Sequence, residues 1–144
     1  ATYLCYNGKR ADGNTQDEFF KENIAVNSRY AKNLGDRGEA AAAEYLEKKG
    51  YTILNRNYYI CHGEIDIIAK DGDCTVFVEV KTRRSDKYGS GLEAITASKK
   101  RSLIRTAETY AAENGLLQTP MRFDVILITG ETEIYHIKNA EISY

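Results

Sequence analysis

The stretch GEIDIIAKDGDCTVFVEVKTR, from Gly63 to Arg83, decides how the chain folds. Two runs rich in β-branched and aromatic residues, 63–69 and 74–82, flank Lys70-Asp71-Gly72-Asp73, and Asp-Gly is a favoured centre for a two-residue hairpin loop. With Asp71 and Gly72 in the loop, Lys70 faces Asp73 and the register follows. Ile65 meets Val78 and Ile67 meets Val76, so with Ala69 and Val80 one face is apolar and suits a covering helix. The other face carries Glu64, Asp66, Glu79 and Lys81, together with Ile68 and Phe77, which imply that it too is covered.

That register sets Glu64 directly across from Glu79, with Asp66 as the diagonal neighbour at roughly 7–8 Å. Two like charges about 5.5 Å apart, at an effective dielectric of about 20, repel by roughly 3 kcal/mol. Such a convergence needs a cation. Oxygen ligands from a few carboxylates suit Mg2+ or Mn2+, which keep positions open for water and a substrate phosphate. Lys81 projects from the same side as Glu79. An ion to polarise phosphorus and an ammonium to offset developing charge are what phosphodiester hydrolysis requires. The plainer alternative is a structural ion pair of Lys81 with Glu64 or Glu79 on a wet face. A buried ion pair is seldom retained for stability alone, which weighs against it.

On the N-terminal side, residues 1–14 carry turn signals at Asn7-Gly8 and Asp12-Gly13. Thr15 and Glu18 form a capping box for a helix over about 16–33, with Phe20, Ile24, Ala31 and Leu34 on one face. Gly35-Asp36-Arg37-Gly38 then punctuates the chain before a second helix that stops at Gly50 and turns Ala42, Ala43, Tyr45 and Leu46 inward. Glu39 points with that apolar face, unless Asp36 and Glu39 serve only as a capping box. A strand over 51–60 precedes the hairpin. Beyond it, a polar loop over 83–91 leads to a helix near 97–113 with Leu103, Ile104, Ala107, Tyr110 and Ala111 inside. Strands over 121–129 and 133–138 close the chain as a hairpin across Thr129-Gly130-Glu131-Thr132. Helix, helix, three strands, helix and two strands predict a mixed α/β domain.

The chain has 144 residues, enough for one ordinary domain, and 20 Lys+Arg against 21 Asp+Glu exclude a surface that grips polyanions everywhere. Between Lys81 and Arg105, however, eight basic residues face two acidic ones, a local zone suited to tracking phosphates. Nothing offers base-edge readout, so recognition of shape or of single strands is expected. No apolar run approaches a membrane span and no signal segment opens the chain. With Cys5, Cys61 and Cys74 read as reduced thiols, a soluble cytoplasmic protein is expected.

Gly38-Glu39, GEIDIIA at 63–69, FVEVKTR at 77–83, KYGSGLEAIT at 87–96, Lys99 and RFDVILI at 122–128 together resemble the bacterial YraN family. That family belongs by fold to the PD-(D/E)XK nucleases and is similar to archaeal Holliday-junction resolvases. The resemblance runs from about Gly35 to Ala140, which leaves an N-terminal extension over 1–34 and a nuclease-like domain over 35–144. It implies a restriction-endonuclease-like three-layer core, a mixed five-stranded sheet flanked by helices. It also implies a catalytic set of Glu39, Asp66, Glu79 and Lys81, with Mg2+ or Mn2+ held by Asp66, Glu79, Glu39 and the Val80 backbone carbonyl. Ile65-Asp66 stands where the family's leading proline-aspartate is expected. Glu64 either supports the ligands from behind or pairs with a basic residue. Arg83, Arg84, Lys87, Lys99 and Arg101 are the nucleic-acid-binding candidates, and branched, flap or single-stranded DNA is the expected partner, with no membrane.

The competing reading is a nucleic-acid-binding or adaptor protein that keeps the fold and cleaves little or nothing. A zinc site from Cys61, His62 and Cys74 is disfavoured, because the hairpin separates the two cysteines by most of a strand. His136 reads as an ordinary strand histidine. The helix within 15–33 packs on the domain or on a second copy, since resolvase-like enzymes that cut two strands often work as homodimers.

Overall fold

Two helices and five strands follow one another in the order α1 (Thr15–Lys48), β1 (Thr52–Ile60), β2 (Gly63–Asp71), β3 (Cys74–Arg83), α2 (Ala97–Glu113), β4 (Met121–Thr129) and β5 (Glu133–Ile137). The structure, a computed structural model, describes residues 15–83, 95–130 and 133–142, with side chains from residue 32 on. The chain divides into two units, 1–33 and 34–144, and the candidate site lies in the second. The side chains of the expected apolar face at Phe20, Ile24 and Ala31, the loop through Arg84 and Lys87, and the tip of the last hairpin fall outside this description.

The five strands form one sheet in sequence order, β1 to β5. Neighbours are antiparallel except β3 and β4, which run parallel because α2 crosses over between them. Alternation along the strands feeds two cores. Ile67, Ala69, Val76, Val78, Ile126 and Ile128 pack with Ala42, Ala43 and Leu46 of α1. Ile68, Phe77 and Val125 pack with Leu103, Ala107 and Tyr110 of α2. Both sheet faces are covered, which gives the three-layer arrangement that the mixed apolar and charged face of the hairpin implied.

Three local expectations need correction. Gly35 to Gly38 do not break the helix; they are helical, inside α1. Gly38 is there for contact, since a Cβ on it would collide with the Thr82 hydroxyl of β3. The β2–β3 turn is displaced by one residue, so that Asp71 pairs with Cys74 and Gly72, at φ 58°, leads the two-residue loop. Ile67 therefore faces Val78, and the register is two residues from the one anticipated. A two-residue slip preserves faces, so the apolar and charged sets survive it. Ile65 is the exception: it joins the α2 core, although Ile67 belongs to the α1 core. The alternation breaks at Asp66, opposite a left-handed residue in β1, Asn57 at φ 52°.

Candidate active site

Pairing of β2 with β3 stops at Ile67 and Val78. Beyond that point 63–65 pair only with β1 and 79–83 only with β4, so the sheet forks. The first backbone donor released by the fork, the amide of Val80, donates instead to Asp66 Oδ2 at 2.8 Å. Asp66 and Glu79 are the first residues past the end of the ladder on their strands, and the Glu79 charge acts on Asp66. Both carboxylates are buried, Asp66 at 8% exposure and Glu79 at 3%.

Lys81 Nζ lies 3.1 Å from Glu79 Oε1, and Lys99 Nζ lies 3.6 Å from the same oxygen and 3.8 Å from Glu64 Oε1. Glu79 Oε2 is buried without a hydrogen-bond partner. A carboxylate oxygen in that position forfeits water and gains nothing in return, unless a cation or donor arrives with a ligand. Burial, then the neighbouring Glu79 charge, push the Asp66 carboxyl up to about 7; the Val80 amide pulls the other way, Glu39 adds to the rise and Lys99 opposes it. Glu39 is likewise raised, by burial first, with Asn57 opposing and Asp36 and Glu64 adding their charge.

Each helix reaches the fork through a glycine. Gly38 lets α1 lie against Thr82, one residue before Glu39. At Gly63 a Cβ would collide with the hydroxyls of Ser102 and Thr106, so α2 lies directly on the start of β2. Ser102 Oγ donates to the His62 carbonyl at 2.9 Å in the same contact. Thr96 caps α2 by accepting from the Lys99 amide at 3.1 Å, which fixes the turn that carries Lys99. The capping-box alternative for Glu39 fails because Asp36 is inside α1 rather than at its start.

Asp66, Glu79 and Lys81 thus meet at the fork, and Glu39 on α1 is near enough for its charge to act on Asp66. Lys99, expected on the nucleic-acid surface, belongs with them. Glu64 is half-exposed and within reach of Lys99, the basic pairing that was one of its two readings. Arg83 ends β3, half-buried, and Arg101 is exposed on α2, while Arg84 and Lys87 fall outside the described residues. Val80 offers its amide to Asp66, which was not anticipated. Among the described residues no three acid, histidine or cysteine side chains close around one point, so the acids form an open set rather than a finished cage. Cys61 and Cys74 stand at opposite ends of β2.

Two features escaped the sequence reading. Asn57 gave no signal beyond its residue type. His136 is no ordinary strand histidine: its Nε2 lies 2.7 Å from Asp124 Oδ2, in a buried network between β4 and β5.

The fold is a three-layer α/β domain, a mixed five-stranded sheet between helices, consistent with a nuclease-like core. The sequence model of the Uncharacterised protein family UPF0102 matches residues 38–128. The chain belongs to this family, the YraN family. A UPF0102 protein of Clostridium acetobutylicum is 47% identical over 118 residues, covering 81% of this chain and 97% of that protein. One from Geobacter metallireducens is 47% identical over 121 residues, covering 81% and 99%. The solved structure described as SSO0001 is 20% identical over 86% of this chain and 61% of that one, with a TM-score of 0.39, too loose to carry an argument. Among the described residues no helix is long and apolar enough to cross a membrane.

Proposed function

We propose that this protein is a metal-dependent endonuclease that hydrolyses phosphodiester bonds in structured or branched DNA. The observation that carries the proposal is the buried, unpartnered Glu79 Oε2 beside Asp66 in the strand fork. The donor set fits a hard divalent ion: oxygens only, few of them, with room for water and phosphate. Asp66, Glu79 and Glu39 would hold Mg2+ or Mn2+, with the Val80 carbonyl as a further ligand. The bound ion supplies charge neutralisation and a water acidic enough to attack at neutral pH.

The chain's own groups do the rest. Lys81, held at the rim of the acid set by Glu79, turns its ammonium to the phosphate and offsets charge that grows during attack. Lys99 keeps α2 seated on the acids and presents a second ammonium at the same edge. Asp66, raised to about 7 by burial and by Glu79, is partly protonated at neutrality, and as a ligand it would have to be deprotonated. Arg83 and Arg101, with Arg84 and Lys87, extend a phosphate-contacting surface.

Branched, flap and single-stranded DNA incubated with the protein in Mg2+ or Mn2+ tests this. Products are expected with the wild type, and Asp66→Ala or Lys81→Ala should reduce their rate roughly 100- to 1000-fold. The open acid set favours a second reading, a DNA-binding or adaptor protein with little turnover. Binding without products, unchanged in Glu79→Ala, would establish that reading instead.

A further inference from the structure

Strand pairing lines up a row of side chains that runs outward from the acid site. Lys81 of β3 is paired with Leu127 of β4, and Leu127 with Tyr135 of β5. Paired residues put their side chains on the same face of a sheet, so Lys81, Leu127 and Tyr135 share one. It is the face that α2 covers. The neighbouring row on it is Glu79, Val125 and Ile137, and Val125, Leu127 and Ile137 all pack in the core with Leu103, Ala107 and Tyr110 of α2.

The cover thins toward the sheet edge. Val125 is buried and Leu127 half-buried, whereas Tyr135, on the edge strand β5, is 54% exposed. An exposed tyrosine is ordinary by itself. Its place in the row is what gives it meaning. Neighbouring strands lie about 4.8 Å apart, so Tyr135 stands roughly 10 Å from Lys81, with Leu127 as an apolar floor between them. At the other end of the row Lys81, its side chain 32% exposed, lies 3.1 Å from Glu79 Oε1, and Lys99 Nζ lies 3.6 Å from the same oxygen.

Two ammoniums, an apolar floor and an open aromatic ring suit a polymer in which anionic phosphates and flat apolar rings alternate. Within a duplex both faces of a base are covered by its neighbours, so only an unpaired base can lie on the tyrosine. We infer that Tyr135 is a stacking platform for an unpaired base of the strand whose phosphate lies at Lys81, which makes single-stranded segments and flaps, rather than continuous duplex, the substrate class. This rests on the DNA site proposed above.

Fluorescence anisotropy of a labelled oligothymidylate and of a blunt duplex, both without divalent metal, tests the platform. Tyr135→Ala should bind the single strand about 10-fold more weakly and the duplex as the wild type does, with an unchanged melting temperature. Tyr135→Phe keeps the ring and should bind both as the wild type does. Wild-type affinity of Tyr135→Ala for the single strand, equal losses on strand and duplex, or a loss in Tyr135→Phe as large as in Tyr135→Ala overturns the platform, and products from the wild type in Mn2+ would then leave the nuclease reading standing. A loss confined to the single strand, with no products from the wild type in Mn2+, keeps the platform and removes cleavage. A wild type that binds neither DNA removes both.

Discussion

The sheet buries carboxylates in two places, at the fork between β2 and β3 and on β4, and the two places treat their charge in opposite ways. On β4 Asp124, at 0% exposure, has both oxygens engaged: Oδ1 accepts from Arg122 Nε at 2.9 Å and from the Asn139 amide at 3.0 Å, and Oδ2 faces His136. Burial works against the Asp124 charge, yet His136, Arg122 and Asn139 together hold its carboxyl below the usual range. Arg122 also reaches Asp71 Oδ2 at 2.8 Å and the Tyr51 hydroxyl at 2.9 Å, tying the β2–β3 turn to the base of the sheet. At the fork Asp66 is pushed the other way and Glu79 keeps an oxygen without a partner. A satisfied buried charge builds structure; an unsatisfied one, held in place by a scaffold that does not complete it, is what a ligand completes.

The largest effect should come from breaking the satisfied network. Asp124→Ala strands Arg122 and His136 and should cost about 3–5 kcal/mol in urea unfolding. Glu79→Gln, although as deeply buried, should cost much less metal-free stability, because losing its pairs with the partly exposed Lys81 and Lys99 is offset by removing repulsion on Asp66. A loss at Glu79 as large as at Asp124 would erase the contrast.

Next in size is the pH response of the metal-free protein. The folded Asp66 carboxyl stands near 7 against an ordinary 3.8, so its contribution is fully present below about 4 and is lost as pH rises through 7. Asp124, lowered in the fold, contributes above its ordinary range and loses that contribution as pH falls. Metal-free melting temperature should therefore decline between pH 4 and 7 in the wild type, and less so in Asp66→Asn.

Smaller effects sharpen how the fork is assembled. Gly38→Ala should cost about 1–3 kcal/mol, recovered in part by Thr82→Ala, which removes the clashing hydroxyl. Thr96→Ala should cost about 1 kcal/mol in the same unfolding measurement, through the α2 cap.

Much of this was legible in the sequence because periodicity two and strand composition report which residues share a face. The partition of Ile67, Ala69, Val76 and Val78 from Ile68 and Phe77 follows from that, and Glu79 and Lys81 share the α2 face with Phe77. Asp-Gly suggested the turn but not its frame, nor that the ladder would end just short of Asp66 and Glu79. Gly38 looked like punctuation because sequence does not distinguish a glycine that ends a helix from one that admits a neighbour. The Asp124–His136 pair joins strands through side chains that periodicity places on a face without saying what they touch. Asn57 was hidden for a further reason: a left-handed residue within a strand leaves no mark on the periodicity of the sequence.

The most direct measurement is the melting temperature at pH 8 of the wild type and Glu79→Gln, each with and without Mn2+. The fork as a cation site predicts a clear rise with Mn2+ in the wild type and little or none in Glu79→Gln. Equal shifts in both proteins, or none in either, would contradict it.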